Sequence, residues 1–509
     1  WCGYCHRLKS QLDREGIASV ISSADAWAWV APVDAGVVAE RCLHICSEHG
    51  WPHLIGPAEY VRARGALATG RIGDAKASLR VARLAFADQG DMDGAARTAL
   101  GLAAVEAVSG RLDVARSTLQ DLLDSPDGLD PAMVAKATQN LGGVEVMAGR
   151  YERGLALLDQ SAAAYESLGA RREWIDAVNN RALALIGLGR AGDAIDATEL
   201  ALARLDDDHE EQREPRADLL DTSARAHLLA GALSTAMSRF QESLSITRVD
   251  GVDERSATTL LGLADVWATL GLHLDALHDY EAVADWAEAN GAASMSAWAR
   301  LGTGVAAIGL GRVPDAREAL DLALAAFRES GESGGLVSAA LARASVAVDG
   351  ADRDRYLDVA LGAADAVERP VDRACVELAL HDAHGDDQHL AAAEALVSGA
   401  PVPRLRYEIL VRRGRSLRAG GDLDGSIERL RGAAEVIDAT RGSLASERHR
   451  RTYFAGRLAA HRELVEVLLT RGDAGDVAEA FSVIERGRSR ALLDAMAGLV
   501  DRPPAGVTT

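Results

Sequence analysis

Seven glycines recur about every 40 residues, and this period constrains the fold more than any other feature of the chain. They are Gly70, Gly110, Gly149, Gly189, Gly231, Gly271 and Gly311, with gaps of 40, 39, 40, 42, 40 and 40 residues. We call them the anchor glycines. A small residue follows each one five positions later: Ala75, Ala115, Gly154, Ala194, Ala236, Ala276 and Ala316. A fixed period of this length is typical of a solenoid of stacked helical hairpins.

The stretch around Gly311 shows what one period encodes. Before the glycine, apolar residues at three- and four-residue steps predict one stripe of a helix: Trp298, Leu301, Val305 and Ile308. Gly311 stands where a helix ends in a left-handed turn, which glycine adopts without steric cost. A second stripe follows: Ala316, Leu320, Ala323, Leu324 and Phe327. Neither helix can bury its apolar face alone, so neighbouring pairs must stack.

The turn strings GRIGDA, GRAGDA and GRVPDA, which begin at Gly70, Gly189 and Gly311, resemble the inter-helix turn of the tetratricopeptide repeat family. That repeat usually has 34 residues, and a period near 40 resembles its longer, kinesin-light-chain-like variant; HEAT-type repeats of about 40–47 residues are the alternative. The resemblance implies an all-α, right-handed superhelical solenoid of tetratricopeptide-like hairpins over residues 51–440. Residues 18–50 are expected to form a helical lead-in.

Composition limits the possible partners. The formal net charge of −21 argues against general nucleic-acid binding. No run of about 18 apolar residues is present to span a membrane, and no secretory signal is recognisable, so a cytoplasmic location is predicted. The acidic run at 206–211 lacks the spacing of a calcium loop and is expected to be solvated. We predict no cofactor and no metal.

The N-terminal string WCGYCHRLKSQLDREGI, residues 1–17, resembles the active-site start of glutaredoxin-like proteins, mycoredoxins in particular. The resemblance implies that Cys2 is the nucleophile and Cys5 its resolving partner, at a helix N-terminus that lowers the thiol pKa. The later strands of that fold are not recognisable, so we expect a redox-silent fragment. A c-type haem attachment, which Cys-x-x-Cys-His also fits, is the remaining alternative.

The other three cysteines suit a reducing compartment, because an odd total of five without a signal peptide does not indicate a disulfide framework. Cys42, Cys46, His49 and His53 have the spacing of one helix face, which is open to a zinc interpretation. Four ligands from one helix cannot readily surround a tetrahedral ion, and Pro52 interrupts the helix. Buried thiols in a first hairpin are therefore predicted, and Cys375 lies inside the repeat array.

The 40-residue rhythm fails after Gly421, and residues 478–500, AEAFSVIERGRSRALLDAMAGLV, resemble the helix that joins tetratricopeptide repeats to a CHAT domain, a caspase-like peptidase. The residues that match are Ala480, Glu485, Arg486, Ser489, Arg490, Leu492, Leu493 and Asp494. Residues 441–500 are thus expected to be a cap or linker to a CHAT domain, with a disordered tail at 501–509. An amphipathic capping helix is the alternative. No catalytic Cys–His pair can be assigned, so we predict no enzymatic activity for this chain.

Two surfaces are candidates for binding. Asn140 and Asn180 each stand nine residues before an anchor glycine, with Lys136 and Asp176 one turn earlier. The pattern resembles the asparagine ladder of kinesin-light-chain-like repeats, in which amides pair with an extended peptide backbone. The alternative is a merely solvated position; other repeats place Gly101, Thr222, Gly262 and Gly302 there. The second surface is basic and would dock an acidic partner or a C-terminal domain of this same protein: Arg404, Arg406, Arg412, Arg413, Arg415 and Arg418.

These patterns favour a scaffold that binds a protein or peptide, as the regulatory part of a CHAT-domain protein. Two other functions stay open. One is a thiol–disulfide oxidoreductase that uses Cys2 and Cys5. The other is the repeat domain of a large ATPase-type transcriptional regulator, although the chain has no Gly-x-x-x-x-Gly-Lys-Ser/Thr loop to bind a nucleotide.

Overall fold

The computed structural model describes residues 14–25, 32–68, 71–126, 128–205, 212–247, 254–399 and 402–485, and all regular secondary structure in these ranges is helical. The predicted all-α repeat fold is confirmed. Cys2, Cys5, Gly70, the acidic run at 206–211 and the matches from Arg486 onward lie outside the described residues, so the predictions made for them stay predictions.

Short turns connect the helices into successive hairpins. The helices are α1 (14–25), α2 (Pro32–His49), α3 (Ile55–Ala68), α4 (Ile72–Asp88), α5 (Met92–Val108), α6 (Leu112–Asp124), α7 (Pro131–Met147), α8 (Tyr151–Leu168), α9 (Arg171–Gly187), α10 (Ala191–Leu202), α11 (Arg213–Leu229), α12 (Leu233–Thr247), α13 (Glu254–Leu270), α14 (His273–Asn290), α15 (Ala293–Gly309), α16 (Val313–Ser330), α17 (Ser333–Ser345), α18 (Gly350–Ala364), α19 (Pro370–His384), α20 (Asp387–Leu396), α21 (Pro403–Ala419), α22 (Leu423–Gly442), α23 (Glu447–Ala455), α24 (Ala459–Arg471) and α25 (476–485). A 3₁₀ turn, Pro52–Leu54, precedes α3.

Contacts between helices divide the chain into two compact units, Trp1–Ala177 and Val178–Thr509, here called unit 1 and unit 2. Unit 1 contains the hairpins α3–α4, α5–α6 and α7–α8. Unit 2 contains those from α11–α12 to α21–α22, and α9 crosses the boundary. Hydrogen bonding and packing show that the two helices of a hairpin are antiparallel. In α7–α8, for example, Tyr165 bonds to Gln139 while Leu158 lies against Gly142.

The anchor glycines end the first helix of each hairpin, as predicted. Those that the structure describes have positive φ angles between 73° and 80°: Gly110, Gly149, Gly189, Gly231, Gly271 and Gly311. This region is strained for any side chain with a Cβ atom. The alanines five residues later are 0% exposed, because the second helix crosses the first most closely there: Ala75, Ala115, Ala194, Ala236, Ala276 and Ala316.

Glycines on first helices also accept large side chains from second helices. A Cβ atom on Gly262 would overlap the ring of Phe240, and one on Gly302 would overlap the ring of Tyr280. Both pairs join the second helix of one hairpin to the first helix of the next. These glycines therefore stack the hairpins, because each leaves the space that a buried ring fills.

We expect the neighbouring glycines Gly142 and Gly143 of α7 to respond oppositely to alanine. A Cβ on Gly142 would lie 2.8 Å from Leu158 Cγ and 3.2 Å from the Gly154 carbonyl oxygen, whereas one on Gly143 meets nothing within 4 Å. Gly143→Ala should raise the free energy of unfolding by about 0.5–1 kcal/mol through helix propensity. Gly142→Ala gains the same propensity but overpacks the hairpin, which costs about 1–3 kcal/mol. Urea unfolding followed by circular dichroism checks this; equal midpoints would contradict the packing.

The end of unit 2 returns to its earlier hairpins. A hydrophobic cluster joins Ile437, Leu444 and Tyr453 to residues of α11–α13 such as Phe240 and Val266. At the edge formed by the hairpin turns, a Cβ on Gly271 would lie 3.2 Å from the Thr452 carbonyl oxygen. Residues almost 200 positions apart thus share one core.

Cys42 and Cys46 are buried, as the sequence predicts. Cys42 and Cys46 lie on α2 and pack in a hydrophobic cluster with Leu54, and burial raises the pKa of both thiols. His49 and His53 lie on the surface. The described residues include no group of three or more His, Cys, Asp or Glu placed to hold a metal ion. None of the described helices is both long enough and apolar enough to cross a membrane.

Candidate functional site

Within each unit, the first helices of the hairpins form the inner face of the stack. In unit 1, α3 packs on α5 and α5 on α7; in unit 2, first helices pack successively from α11 to α21. Successive second helices from α12 to α22 share at most isolated contacts in the described part of the chain. Helices on the inside of a bend lie closer together than those on the outside. The first helices are therefore the concave side of the stack within each unit.

The open row on this face stands six residues before each anchor glycine. It contains Gly143 in unit 1, and Leu183, Arg225, Asp265 and Val305 in unit 2. Leu183 is 37% exposed, Val305 is 38% exposed, and nothing lies within 4 Å of a Cβ on Gly143. The sequence pattern alone assigned Val305 to the buried stripe, which is wrong. We call this set the inner row.

The two predicted asparagines stand beside the inner row. The side chains of Asn140 and Asn180 are half-buried, and neither makes a hydrogen bond to any other residue that the structure describes. Asn140 lies in unit 1 and Asn180 in unit 2. Gly262 and Gly302, at the same position of later hairpins, accept the rings of Phe240 and Tyr280. At these two positions a ring fills the space that a side chain would need, and Thr222, at the same position of the hairpin before them, is buried.

A polar cluster in unit 1 includes the predicted Lys136 and Asp176. Lys136 Nζ donates to Gln139 Oε1 at 3.1 Å, and the Tyr165 hydroxyl donates to the same oxygen at 3.2 Å. Burial raises the pKa of Asp176, and the Lys136 ammonium partly opposes that shift. Burial, with Glu173 and Asp176 nearby, raises the pKa of Tyr165. The structure thus brings the predicted pair together and adds Gln139 and Tyr165, which carry no pattern of their own in the sequence.

A second polar cluster lies on α11 and α13 of unit 2, where no site was predicted. Arg225 Nε donates to Asp221 Oδ2 at 2.7 Å, and Arg225 Nη2 donates to the Thr258 carbonyl at 2.9 Å. The Tyr280 hydroxyl donates to Asp265. Desolvation by the protein around it raises the pKa of Asp265, although Tyr280 and Arg225 both oppose the rise. The inner face of unit 2 therefore presents fixed charges of both signs.

The arginines predicted to dock an acidic partner are mostly engaged within unit 2. Arg412 pairs with Asp382 at 2.6 Å, and Arg415 forms a two-pronged pair with Glu463 at 2.6–3.1 Å. The other pairs are Arg413–Glu394, Arg418–Glu466 and Arg404–Glu408. Arg406 is exposed and makes no ion pair with the described residues. Carboxylates of neighbouring helices thus offset most of the positive charge of this cluster.

No protein-family model and no curated protein matches the chain. Solved structures do resemble it. A Rap protein complexed with competence and sporulation factor is 14% identical, with a TM-score of 0.52 over 69% of this chain and 99% of that chain. The APC/C hetero-tetramer Cut9–Hcn1 is 13% identical, with a TM-score of 0.49 over 96% and 94%. The Rap conjugation gene regulator of plasmid pLS20, in complex with the Phr* peptide, is 14% identical, with a TM-score of 0.48 over 73% and 98%. At such identities the likeness concerns the fold alone, which is a tetratricopeptide-like helical repeat.

Proposed function

We propose that the chain is a scaffold that binds a peptide or an extended protein segment along the inner face of its first helices. Two observations support the proposal, one in each unit: the half-buried amides of Asn140 in unit 1 and Asn180 in unit 2 each make no hydrogen bond to another residue that the structure describes. Each amide offers a donor and an acceptor, which is what an extended peptide backbone requires. Because both amides are half-buried and make no hydrogen bond to a described residue, both remain available to a bound backbone.

The neighbouring side chains suit the same role. Lys136 and Asp176 can meet charged groups of the bound segment, and the hydrogen bonds to Gln139 hold Lys136 in place before binding. The Rap protein of similar fold was solved with competence and sporulation factor bound, which agrees with a ligand-binding role.

Finer assignments rest on sequence resemblance alone. The CHAT-linked regulatory role depends on matches of which most, from Arg486 onward, lie outside the described residues. The redox alternative depends on Cys2 and Cys5, also outside them, and the ATPase-type regulator gains no support from the geometry. The proposed binding role requires no catalytic group, so we propose no enzymatic activity.

Alanine at Asn140 or Asn180 is expected to weaken binding without unfolding the protein. One lost side-chain hydrogen bond is worth roughly 0.5–1.5 kcal/mol, so each variant should bind about 2- to 12-fold more weakly. Peptides selected from a random library against the whole chain supply the ligand, and titration calorimetry measures affinity. Asn290→Ala is the matched control, because Asn290 lies at the end of a second helix and bonds to the Trp286 carbonyl.

The control should bind like the wild type. Unchanged affinity in both the Asn140 and Asn180 variants would remove these amides from the site. In that case the second polar cluster, around Arg225 and Asp265, would be the next surface to test.

A further inference from the structure

A short C-terminal segment of unit 2 closes over two hairpin turns far away in sequence. This segment, residues 444–457, is called the strap, and it includes α23. The Ala445 backbone N–H donates to Ser234 Oγ at 3.2 Å, Arg448 pairs with Asp275 at 2.7 Å, and Arg457 Nη2 donates to the Thr269 carbonyl at 3.0 Å. These contacts join positions 173 to 211 residues apart.

Apolar contacts accompany the polar ones. Leu444 and Tyr453 are buried, and they share a cluster with Leu233 and Leu272 of the covered turns. Trp267, at the end of α13, faces the ring of His449 with centroids 5.8 Å apart. Release of the strap would therefore expose an apolar patch around Trp267.

Two histidines lie in this interface beside arginines. His273 begins α14; a Cβ on Gly309 of α15 would overlap its ring, and its Nδ1 is buried without a hydrogen bond in the described structure. The charge of Arg457, in the strap, acts on His273. The charges of Arg448 and Asp275 act on His449. The strap also carries Arg451 and Glu447, which pairs with Arg450. Around it, His461 of α24 lies against Phe454 and Asp438, and Asp279 of α14 accepts from Trp267 Nε1.

We propose that the strap is a closing device that mild acid releases, through protonation of His273 and His449 against the neighbouring arginines. Each added proton would place a positive charge in an interface that already holds Arg448 and Arg457. Among the described residues, Asp275 is the carboxylate that opposes the pKa shift of His449, and it already pairs with Arg448. The idea that release of the strap serves partner binding rests on the proposed function. The closing device itself does not depend on that function.

The direction of the pH effect follows from proton linkage. Burial lowers the pKa of His273, with Arg457 adding to the shift; burial also lowers the pKa of His449, with Arg448 adding and Asp275 opposing. The docked strap therefore binds fewer protons than the released strap in mild acid. Docking should be at full strength above about pH 6.5, the ordinary histidine pKa, and should weaken as the pH falls below it.

Hydrogen exchange of the whole chain, measured by mass spectrometry at pH 7.5 and 5.5 and corrected for the intrinsic rate, tests the proposal without any partner. Exchange in residues 444–457 should be about tenfold faster at pH 5.5 for each histidine that stays neutral in the docked form. Exchange in α17–α18, which shows no packing against α14 or α23, should not change. A peptide-binding failure with an intact pH response would overturn only the proposed function.

Substitutions assign the effect to the two histidines. The double variant His273→Gln/His449→Gln should keep the strap protected equally at both pH values. His278→Gln, on the exposed side of the same α14, should behave like the wild type. Equal wild-type protection at both pH values, loss that persists in the double variant, or loss that extends to α17–α18 would each overturn the proposal. Should the double variant not dock at pH 7.5, the wild-type profile decides alone.

Discussion

Replacement of Glu145 by alanine is expected to lower the free energy of unfolding of unit 1 by about 3 kcal/mol. Glu145 is 0% exposed and lies within ion-pair distance of three arginines: Arg116 at 3.2 Å, Arg153 at 3.5 Å, and Arg150, which is closer still. Loss of one partner of a buried ion pair typically costs about 3–5 kcal/mol, because the remaining charge stays desolvated. We expect the lower end, since the arginines keep part of their contact with water.

The position of Glu145 explains the size of the effect. Arg116 belongs to α6 and Arg150 to the turn after α7, so the carboxylate joins two hairpins. Glu106 repeats the arrangement one hairpin earlier, with Lys76 of α4 and Arg111. Glu152→Ala, at an exposed position of α8, is the control and should stay within about 0.5 kcal/mol of the wild type. Urea unfolding measures both; a loss below about 1 kcal/mol for Glu145→Ala would show that the ion pairs do not hold the hairpins together.

Replacement of Phe327 by alanine should cost about 3–5 kcal/mol in unit 2, the usual range for a buried phenylalanine. Phe327 is 0% exposed, its ring lies edge-on to Trp298 with centroids 5.1 Å apart, and it occupies the space above Gly335. Phe481→Ala is a matched control, because that ring is 63% exposed. Thermal unfolding at fixed pH measures the loss for both variants.

A double-mutant cycle tests the fit between ring and glycine. Gly335→Ala alone should destabilise the wild type, since a Cβ there overlaps the Phe327 ring. In the Phe327→Ala background the same change should be neutral or stabilising, because the ring is gone and alanine favours the helix. The same sign of effect in both backgrounds would contradict the packing described for this pair.

Periodicity in the sequence was enough to predict the repeat fold. Each anchor glycine marks the end of a helix and a left-handed turn. Each alanine five residues later marks the point where the two helices of a hairpin cross closely. Both features depend on residues close together in the sequence. The helices and glycine turns that the resemblance to tetratricopeptide repeats implies are therefore present in the structure. The domain boundaries and the superhelical hand remain predictions.

Contacts across the stack could not be read from the sequence. Arg412, Arg415 and Arg418 looked like one basic surface, but their carboxylate partners lie 30 and 48 residues away. The strap joins Arg448 to Asp275, and no local pattern signals such a pair. The sequence shows how polar residues are spaced along a helix. It does not show their partners, which depend on which hairpins the fold brings together.

The candidate site was partly predictable for the same reason. Asn140, Asn180, Lys136 and Asp176 share a helical register, which spacing reveals. Gln139 and Tyr165 complete the cluster through contacts between α7 and α8. The inner row six residues before each anchor escaped notice, because glycine, leucine, arginine, aspartate and valine have no common chemistry there.

Site-specific photocrosslinking tests the central claim, ligand binding on the inner face, most directly. A photoreactive phenylalanine analogue would be placed at position 143, in the inner row, or at position 152, an exposed position on the second helix of the same hairpin. A peptide selected from a random library is then added and irradiated with each variant. Crosslinks from position 143 and none from position 152 are the predicted result. Crosslinks from position 152 alone, or equally from both, would contradict binding on the first helices.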